Sequence, residues 1–493
     1  MPPSRFRWVF CQLDALRQCL PSSLRRTLAE LPESLDETYE RIVKDIKKGN
    51  HADSYRMLQC LAVAVRPLSV GELAEVLAFD FDASMTKDGI PKLNSKWRWD
   101  DHEQAVLSTC SSLITIVPVY GLHSYSVVQF SHFSLKEFLL SDRLATSAKE
   151  ISRYHIALED ANTLIAKACL GFLLRDPVDE SDVAAAPSPL AQYAAEHWVA
   201  HAKVENVASR IRNGMETLFD PERPHFSAWI KLHNTDRRKW VNNLDNKKQP
   251  EAAPLYHAAL IGFHEIVEHL ILKYPHHVNA ISGPAGTALH AVSCSNADHV
   301  EVLHSLLKYG ADVDARGISG MSALQLASIN RRPHVVHCLL DHGADPSFRD
   351  DDSWRLTPVS LAAKCGNAET VEVFLGRGAD ANFRDDDGRT LIHNACSNVF
   401  KGDSVVPFLL QRGADPNARD NNRRTPLHQI SLPPKYSYEM LVRLQIATTL
   451  LAHGADVDAE DEEGSTPLKL ALASGQEELA QLLLECCSKR AQM

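Results

Sequence analysis

Two short motifs alternate along the C-terminal half of the chain, as in Gly413-Ala414-Asp415 followed by Thr425-Pro426-Leu427-His428. The tripeptide Gly-Ala-Asp begins at 310, 343, 378, 413 and 454, in steps of 33, 35, 35 and 41 residues (343 − 310, 378 − 343, 413 − 378 and 454 − 413). The four-residue motif recurs in phase, starting at 253, 287, 322, 357, 390, 425 and 466. Two motifs that keep step at a period near 33 residues predict a solenoid of stacked repeats.

The residue types within one repeat predict a pair of helices. Thr425 can cap the first helix with its hydroxyl, and Pro426 suits the first helical turn. Five residues after the Thr stands a small or apolar residue, such as Ile430. The second helix carries an i, i+3, i+4 apolar stripe, and the Gly that follows supplies a left-handed cap. This period with Thr-Pro-Leu-His resembles the ankyrin repeat, over residues 252–487.

The N-terminal half reads as a compact α+β domain. Capping boxes at Ser34–Glu37 and Ser69–Glu72 predict helix starts, and Ser134 with Glu137 predicts a third. Residues 115–120 and 124–130 predict two strands that flank Gly121. Helices followed by a hairpin indicate a winged helix. We therefore expect a mainly α protein with a winged-helix-like α+β N-terminal domain, a helical connector and a C-terminal ankyrin-repeat solenoid.

Several segments of this half resemble the module behind the nucleotide-binding core of fungal NACHT (NOD-like) receptors. They arrive in that family's order, at 7–13, 31–42, 66–73, 106–114, 130–139 and 188–198. The phosphate-binding loop of the family, G-x-x-x-x-G-K-[ST], does not occur in this sequence. The family's NTP-driven switch is therefore not carried over. A truncated gene product, a partial gene model and a natural receptor remnant all fit this departure.

The resemblance and the repeats together divide the chain into four parts. We expect the C-terminal end of a NACHT module at 1–33, the winged-helix-like domain at 34–150, a helical connector at 151–250 and about seven ankyrin repeats at 251–493. Trp198, Trp229 and Trp240 are expected to be core anchors of the connector. Pro433 and Pro434 are expected to break the helical pattern inside the longest repeat.

Most of the net charge of −11 lies in the repeats. Residues 251–493 hold 31 acidic and 21 basic residues, and 21 − 31 gives −10. Acidic triplets occur where turns between repeats are expected. Asp is favoured in turns for backbone reasons, so solvated turns are one interpretation. The other is an acidic strip that steers a basic protein partner. The candidate partner-binding residues are Asp350, Asp351, Asp352, Asp385, Asp386, Asp387, Asp461, Glu462 and Glu463.

Other classes of site find little support in the sequence. The pair His264 and His269 is spaced i+5, which does not place both side chains on one helix face as a zinc motif requires. The His of Thr-Pro-Leu-His is expected to form hydrogen bonds between repeats. Eleven cysteines without regular spacing indicate reduced thiols in a cytoplasmic protein. We expect no catalytic residue, no metal and no cofactor.

The acidic balance and the absence of a long apolar stretch argue against nucleic-acid and membrane partners. We therefore expect a non-enzymatic protein-interaction scaffold, acting as the sensor half of a fungal NOD-like receptor. The alternative is a regulatory remnant that acts in trans on an intact NACHT NTPase.

Overall fold

The structure is a computed structural model, and it describes residues 35–81, 89–99, 101–110, 112–119, 125–175, 188–233, 253–349, 356–397, 402–434 and 440–490. The chain divides into two compact units, Met1–Val241 and Asn242–Met493. The segment 1–33, Ser34, Gly121, Trp240 and Asp350–Asp352 lie outside the described residues. Within the described ranges, no helix combines the length and apolar character needed to cross a membrane.

The first unit begins with short helices around a small antiparallel sheet. Its helices are α1 (Leu35–Lys44), α2 (His51–Val63), α3 (Val70–Leu77), α4 (His102–Cys110), α5 (Phe133–Leu140), α6 (Asp142–Ala145) and α7 (Lys149–Ser152). Its strands are β1 (Leu68–Ser69), β2 (Phe79–Asp80), β3 (Lys92–Leu93), β4 (Ile114–Val119) and β5 (Tyr125–Phe130). The strands β1, β5 and β4 form one sheet in that order, with Ile116 opposite Val128. This is the winged-helix domain that the sequence predicts.

The predicted helix starts have mixed outcomes. The capping box of Ser69 and Glu72 is confirmed, since each side chain accepts the other's backbone N–H. The predicted cap by Ser134 is wrong. The helix α5 starts at Phe133, and the N-cap is His132, whose Nδ1 accepts the N–H of Ser134. The hydroxyl of Ser134 lies 2.6 Å from that same Nδ1 and 3.0 Å from the Tyr39 hydroxyl.

The connector packs its aromatic residues into one core. Its helices are α8 (Leu158–Leu173), α9 (Leu190–Ala202), α10 (Val207–Arg210), α11 (Arg212–Leu218) and α12 (His225–Leu232). Trp198 and Trp229 are buried and meet edge to face, with ring centroids 5.3 Å apart. The indole N–H of Trp229 donates to the carbonyl of Ala195. The expectation that these two tryptophans anchor the connector is confirmed.

The second unit is a run of helix pairs. Seven pairs occur within its described residues, namely α13 (Pro254–Ile261) with α14 (His264–Lys273), α15 (Ala288–Cys294) with α16 (Val300–Lys308), α17 (Ala323–Ile329) with α18 (Pro333–Asp341), α19 (Pro358–Lys364) with α20 (Ala368–Gly376), α21 (Leu391–Ser397) with α22 (Gly402–Gln411), α23 (Pro426–Ser431) with α24 (Met440–Ala452), and α25 (Pro467–Ala473) with α26 (Glu477–Arg490). Each pair packs on the next, so the core runs along the whole stack.

The helices of the repeats end where the sequence predicts. Gly310, Gly343, Gly378, Gly413 and Gly454 all have φ between 85° and 90°, as the left-handed caps require. The helix α23 ends at Ser431, just before the two prolines. Arg443 of α24 is buried and donates to the carbonyls of Ile430 and Leu432. These bonds satisfy carbonyls at the end of α23 that have no intrahelical partner.

Candidate protein-interaction surface

The two described acidic triplets, 385–387 and 461–463, lie in turns that join consecutive helix pairs. We call residues 384–389, 419–424 and 460–465 the fingertip turns. In each, a buried Asp accepts backbone N–H groups two and four residues ahead. Asp461, for example, accepts from Glu463 at 3.0 Å and from Ser465 at 2.8 Å. Asp385 and Asp420 make the equivalent bonds. The first Asp of each turn therefore holds the turn closed.

Two of the nine predicted partner-binding residues are consequently turned inward. Asp385 is 8% exposed and also accepts from the side-chain amide of Asn394. Asp461 is 2% exposed and accepts from Nε of Arg424 at 3.3 Å. Burial alone would raise the pKa of Asp461, but the N–H of Ser465, Arg424 and the N–H of Glu463 together hold it below its usual range. These carboxylates face the protein rather than a partner.

The second and third residues of the triplets are exposed. Asp386 pairs with Arg349, and Asp387 lies 3.7 Å from Nη1 of Arg389. Glu462 and Glu463 are also exposed and form no ion pair with any described residue. Exposed pairs are partly neutralised and contribute little to stability. Glu460 is likewise exposed and forms no ion pair with any described residue, so the unpaired negative charge of the described fingertip turns is concentrated at 460, 462 and 463.

The charge along the fingertip turns alternates in sign. Residues 384–389 have two basic and three acidic side chains (2 − 3 = −1), and residues 460–465 have no basic and four acidic (0 − 4 = −4). Between them, residues 419–424 have three basic and one acidic (3 − 1 = +2). A basic turn with Arg419, Arg423 and Arg424 thus lies between the two acidic turns of the expected acidic strip.

Neighbouring fingertip turns are tied together by hydrogen bonds. The N–H of Asn421 donates to the carbonyl of Asp387 at 2.9 Å, and its side-chain amide donates to the carbonyl of Asp386 at 2.8 Å. One turn further on, the N–H of Glu462 donates to the carbonyl of Asn422 at 3.0 Å. The exposed charges therefore stand on a backbone edge whose segments are fixed relative to one another.

The histidines of the repeat motif connect adjacent repeats, as predicted. The Nδ1 atoms of His290, His393 and His428 accept the N–H of the Thr three residues before, so each ring carries its proton on Nε2. Each Nε2 then donates to a carbonyl of the next repeat, at 3.0 to 3.1 Å. Burial lowers the pKa of all three rings. They are structural rungs rather than ligands.

His264, one of the two histidines that the sequence rejects as a zinc motif, contacts the next repeat. The ring of His264 lies 2.9 Å from the hydroxyl of Ser305 in the next repeat, and 3.6 Å from Glu268.

The structure brings together one cluster of possible metal ligands that the sequence analysis did not predict. His304, Cys338 and His342 bring one ligand-type atom each within 4.8 Å of one another. The Sγ atom of Cys338 lies 3.6 Å from Nδ1 of His304 and 3.8 Å from Nδ1 of His342. Burial raises the pKa of the Cys338 thiol to about 11, with Asp341 adding to the effect. The signal in the sequence was the Cys-x-x-x-His spacing, combined with a His one repeat earlier.

Two family models match the chain. The ankyrin-repeat model matches residues 255–350, 359–432 and 399–492. The C-terminal half is an ankyrin-repeat array. The model for the winged-helix domain of GPI inositol-deacylase matches residues 39–149. The prediction of a winged helix before an ankyrin array is therefore confirmed at the level of the fold.

Relatives share parts of the chain. Azaphilone pigments biosynthesis cluster protein L of Monascus ruber is 32% identical over 302 residues, which are 58% of this chain and 61% of that protein. Human SH3 and multiple ankyrin repeat domains protein 2 is 31% identical over 129 residues, which are 26% of this chain and 7% of that protein. The chain thus spans less than two thirds of the length of these relatives. The ankyrin repeat domain of Bcl-3 covers 47% of this chain at 27% identity and a TM-score of 0.38, with 99% of that domain matched.

Proposed function

We propose that the chain is a non-catalytic protein-interaction scaffold whose fingertip turns hold a protein partner. The observation that supports this role is the hydrogen-bonded edge formed by residues 384–389, 419–424 and 460–465. Exposed charged side chains stand on a backbone that is already ordered, so the array itself loses little conformational entropy when a partner docks. Ankyrin arrays present extended surfaces of this kind.

The alternating charge specifies the partner more closely than overall acidity does. A complementary surface would place basic groups against residues 460–465 and acidic groups against Arg419 and Arg423. Such a pattern fixes the register of the partner and increases the association rate. We propose a partner with a basic and an acidic patch, spaced like neighbouring fingertip turns.

We further propose that this scaffold is the sensor half of a cytoplasmic receptor of the fungal NOD-like type. The winged-helix match at 39–149, followed by the ankyrin matches from 255 onward, supports the proposal because the domains stand in that family's order. The partially matching relative from Monascus ruber, a fungus, is consistent with it. In this role, binding to the array would alter the winged-helix domain.

The scaffold role is tested by affinity capture from a fungal cell extract with quantitative mass spectrometry. The bait is the full chain, compared with a double variant Glu462→Gln plus Glu463→Gln. The matched control is Glu301→Gln plus Glu369→Gln, which removes the same charge from exposed positions on the second helices of other repeats. We expect specific partners to be lost from the fingertip variant and kept by the control. Equal recovery with both variants would contradict the role of the fingertip turns.

The sensor role needs a separate measurement. Once a partner is captured, hydrogen exchange of residues 39–149 is compared with and without it. If the chain acts as a sensor, we expect partner binding to change the protection from hydrogen exchange in β4, β5 or α5, which are distant in sequence from the binding surface. If exchange in these elements is unchanged while residues 460–465 become protected, the scaffold proposal stands and the sensor proposal is wrong.

A further inference from the structure

The junction between the second and third helix pairs has a composition unlike its neighbours. His304 lies on α16, while Cys338 and His342 lie at i and i+4 on α18 or directly after it. Cys338 is 4% exposed, and both histidines are exposed. A thiol at the bottom and two imidazoles at the rim form a shallow cup that is open to solvent.

The repeat register shows what usually occupies these positions. Counting back from the Gly caps, His342 is equivalent to Arg377 and Arg412, and His304 is equivalent to Glu372. In the later junction, Nη2 of Arg412 donates to Glu372 at 2.7 Å. In the junction between, Arg377 pairs with Asp341. The Cys–His junction thus replaces an ion pair between repeats by three potential metal ligands.

We propose that His304, Cys338 and His342 form a zinc-binding site that joins the second and third ankyrin repeats. Tetrahedral zinc with a Zn–S bond of about 2.3 Å and Zn–N bonds of about 2.0 Å places sulfur and nitrogen about 3.5 Å apart. The two Sγ···N distances, 3.6 and 3.8 Å, are close to this edge length. The side chains therefore need only small movements to coordinate one ion.

The donor set indicates which metal the site takes. One thiolate and two imidazoles suit zinc and related ions, whereas calcium and magnesium require oxygen ligands. On binding, Cys338 forms a sulfur–metal bond and releases its proton to solvent. His342 gives up the hydrogen bond from its ring to the Cys338 carbonyl, now 2.8 Å long. Three protein ligands leave a fourth position for water or for a side chain of a partner.

The test titrates the full chain with Co²⁺, which reports thiolate ligation through an absorption band in the near ultraviolet and tetrahedral geometry through visible bands. We expect saturation at one equivalent and displacement by Zn²⁺. Cys338→Ser should lose the near-ultraviolet band. His304→Gln and His342→Gln should each weaken binding by at least about tenfold, since changes even outside the coordination sphere cost that much. The matched control is His337→Gln, an exposed His on the same helix that pairs with Asp341.

Circular dichroism verifies that each variant is folded, and the two histidine variants keep the proposal testable if Cys338→Ser is not. Failure of the unmodified chain to give a thiolate band would overturn the proposal. So would a band that survives Cys338→Ser, or an equal loss of affinity in His337→Gln.

Discussion

His428 in one repeat donates from Nε2 to the carbonyl of Ser465 in the next, over 3.0 Å. Its other ring nitrogen accepts the N–H of Thr425 and so closes the start of α23. In the repeat of α17, Gln325 makes the same two connections, to Ser322 and to the carbonyl of Leu356. The rung therefore depends on one acceptor and one donor at the right separation, not on an imidazole as such.

The first prediction separates that geometry from simple burial. His428→Ala should lower the free energy of unfolding by about 1–3 kcal/mol, because it leaves the buried N–H of Thr425 without its acceptor and the Ser465 carbonyl with only the N–H of Asp461. His428→Gln should stay within about 1 kcal/mol of the unmodified chain, since Gln restores both groups. Hydrogen exchange of α23 and α25 measures the difference locally. Equal exchange in the two variants would show that the rung bonds contribute nothing.

The second prediction concerns the two kinds of acidic residue in one fingertip turn. Asp461→Ala should cost about 2–4 kcal/mol, since two backbone N–H groups and Arg424 lose their acceptor. Glu462→Gln, one residue away, should change stability by less than about 0.5 kcal/mol. Urea denaturation of both variants measures the contrast. Similar losses would mean that Asp461 is not the residue that holds the turn.

The third prediction concerns Arg423, which has the left-handed backbone conformation that glycine has at the same position of the other fingertip turns. Arg423 has a φ of 59°, where the matching residues of the other two described fingertip turns are Gly388 and Gly464. A left-handed conformation costs a non-glycine residue about 1–2 kcal/mol, and glycine loses part of that gain to its freer unfolded state. Arg423→Gly should therefore raise the stability of the array by about 0.5–1 kcal/mol. Thermal denaturation tests this, with Arg419→Gly as a control that should not stabilise.

The residues show where sequence reasoning succeeds and where it stops. Helix ends are marked by residues with specific backbone preferences, such as Thr425, Pro426 and Gly413. The boundaries of the repeats could therefore be predicted from the sequence. Asp385 and Asp386 are adjacent and identical in type, yet one is buried and one exposed. Only the path of the turn decides this. His304 and Cys338 are 34 residues apart, and their proximity depends on the exact stacking of two repeats. Such contacts depend on how the side chains of two stacked repeats meet, which the motif alone does not specify.

The last prediction is a pH dependence in the first unit. His201 is 1% exposed; its Nε2 accepts the Tyr193 hydroxyl at 2.9 Å, and its Nδ1 donates to Asn162 at 2.8 Å. Burial, reinforced by His197, lowers the pKa of His201 from 6.5 to about 4.

Above pH 6.5 the His201 ring is neutral in both the folded and the unfolded chain, and its contribution to stability is complete. As pH falls from 6.5 toward 4, the imidazole becomes protonated in the unfolded chain but stays neutral in the folded chain. The free energy of unfolding therefore decreases by up to about 3 kcal/mol. Urea denaturation from pH 7 to pH 4.5 should show this slope, and His201→Gln should reduce it by about one proton. An unchanged slope in His201→Gln would mean that other groups carry the dependence.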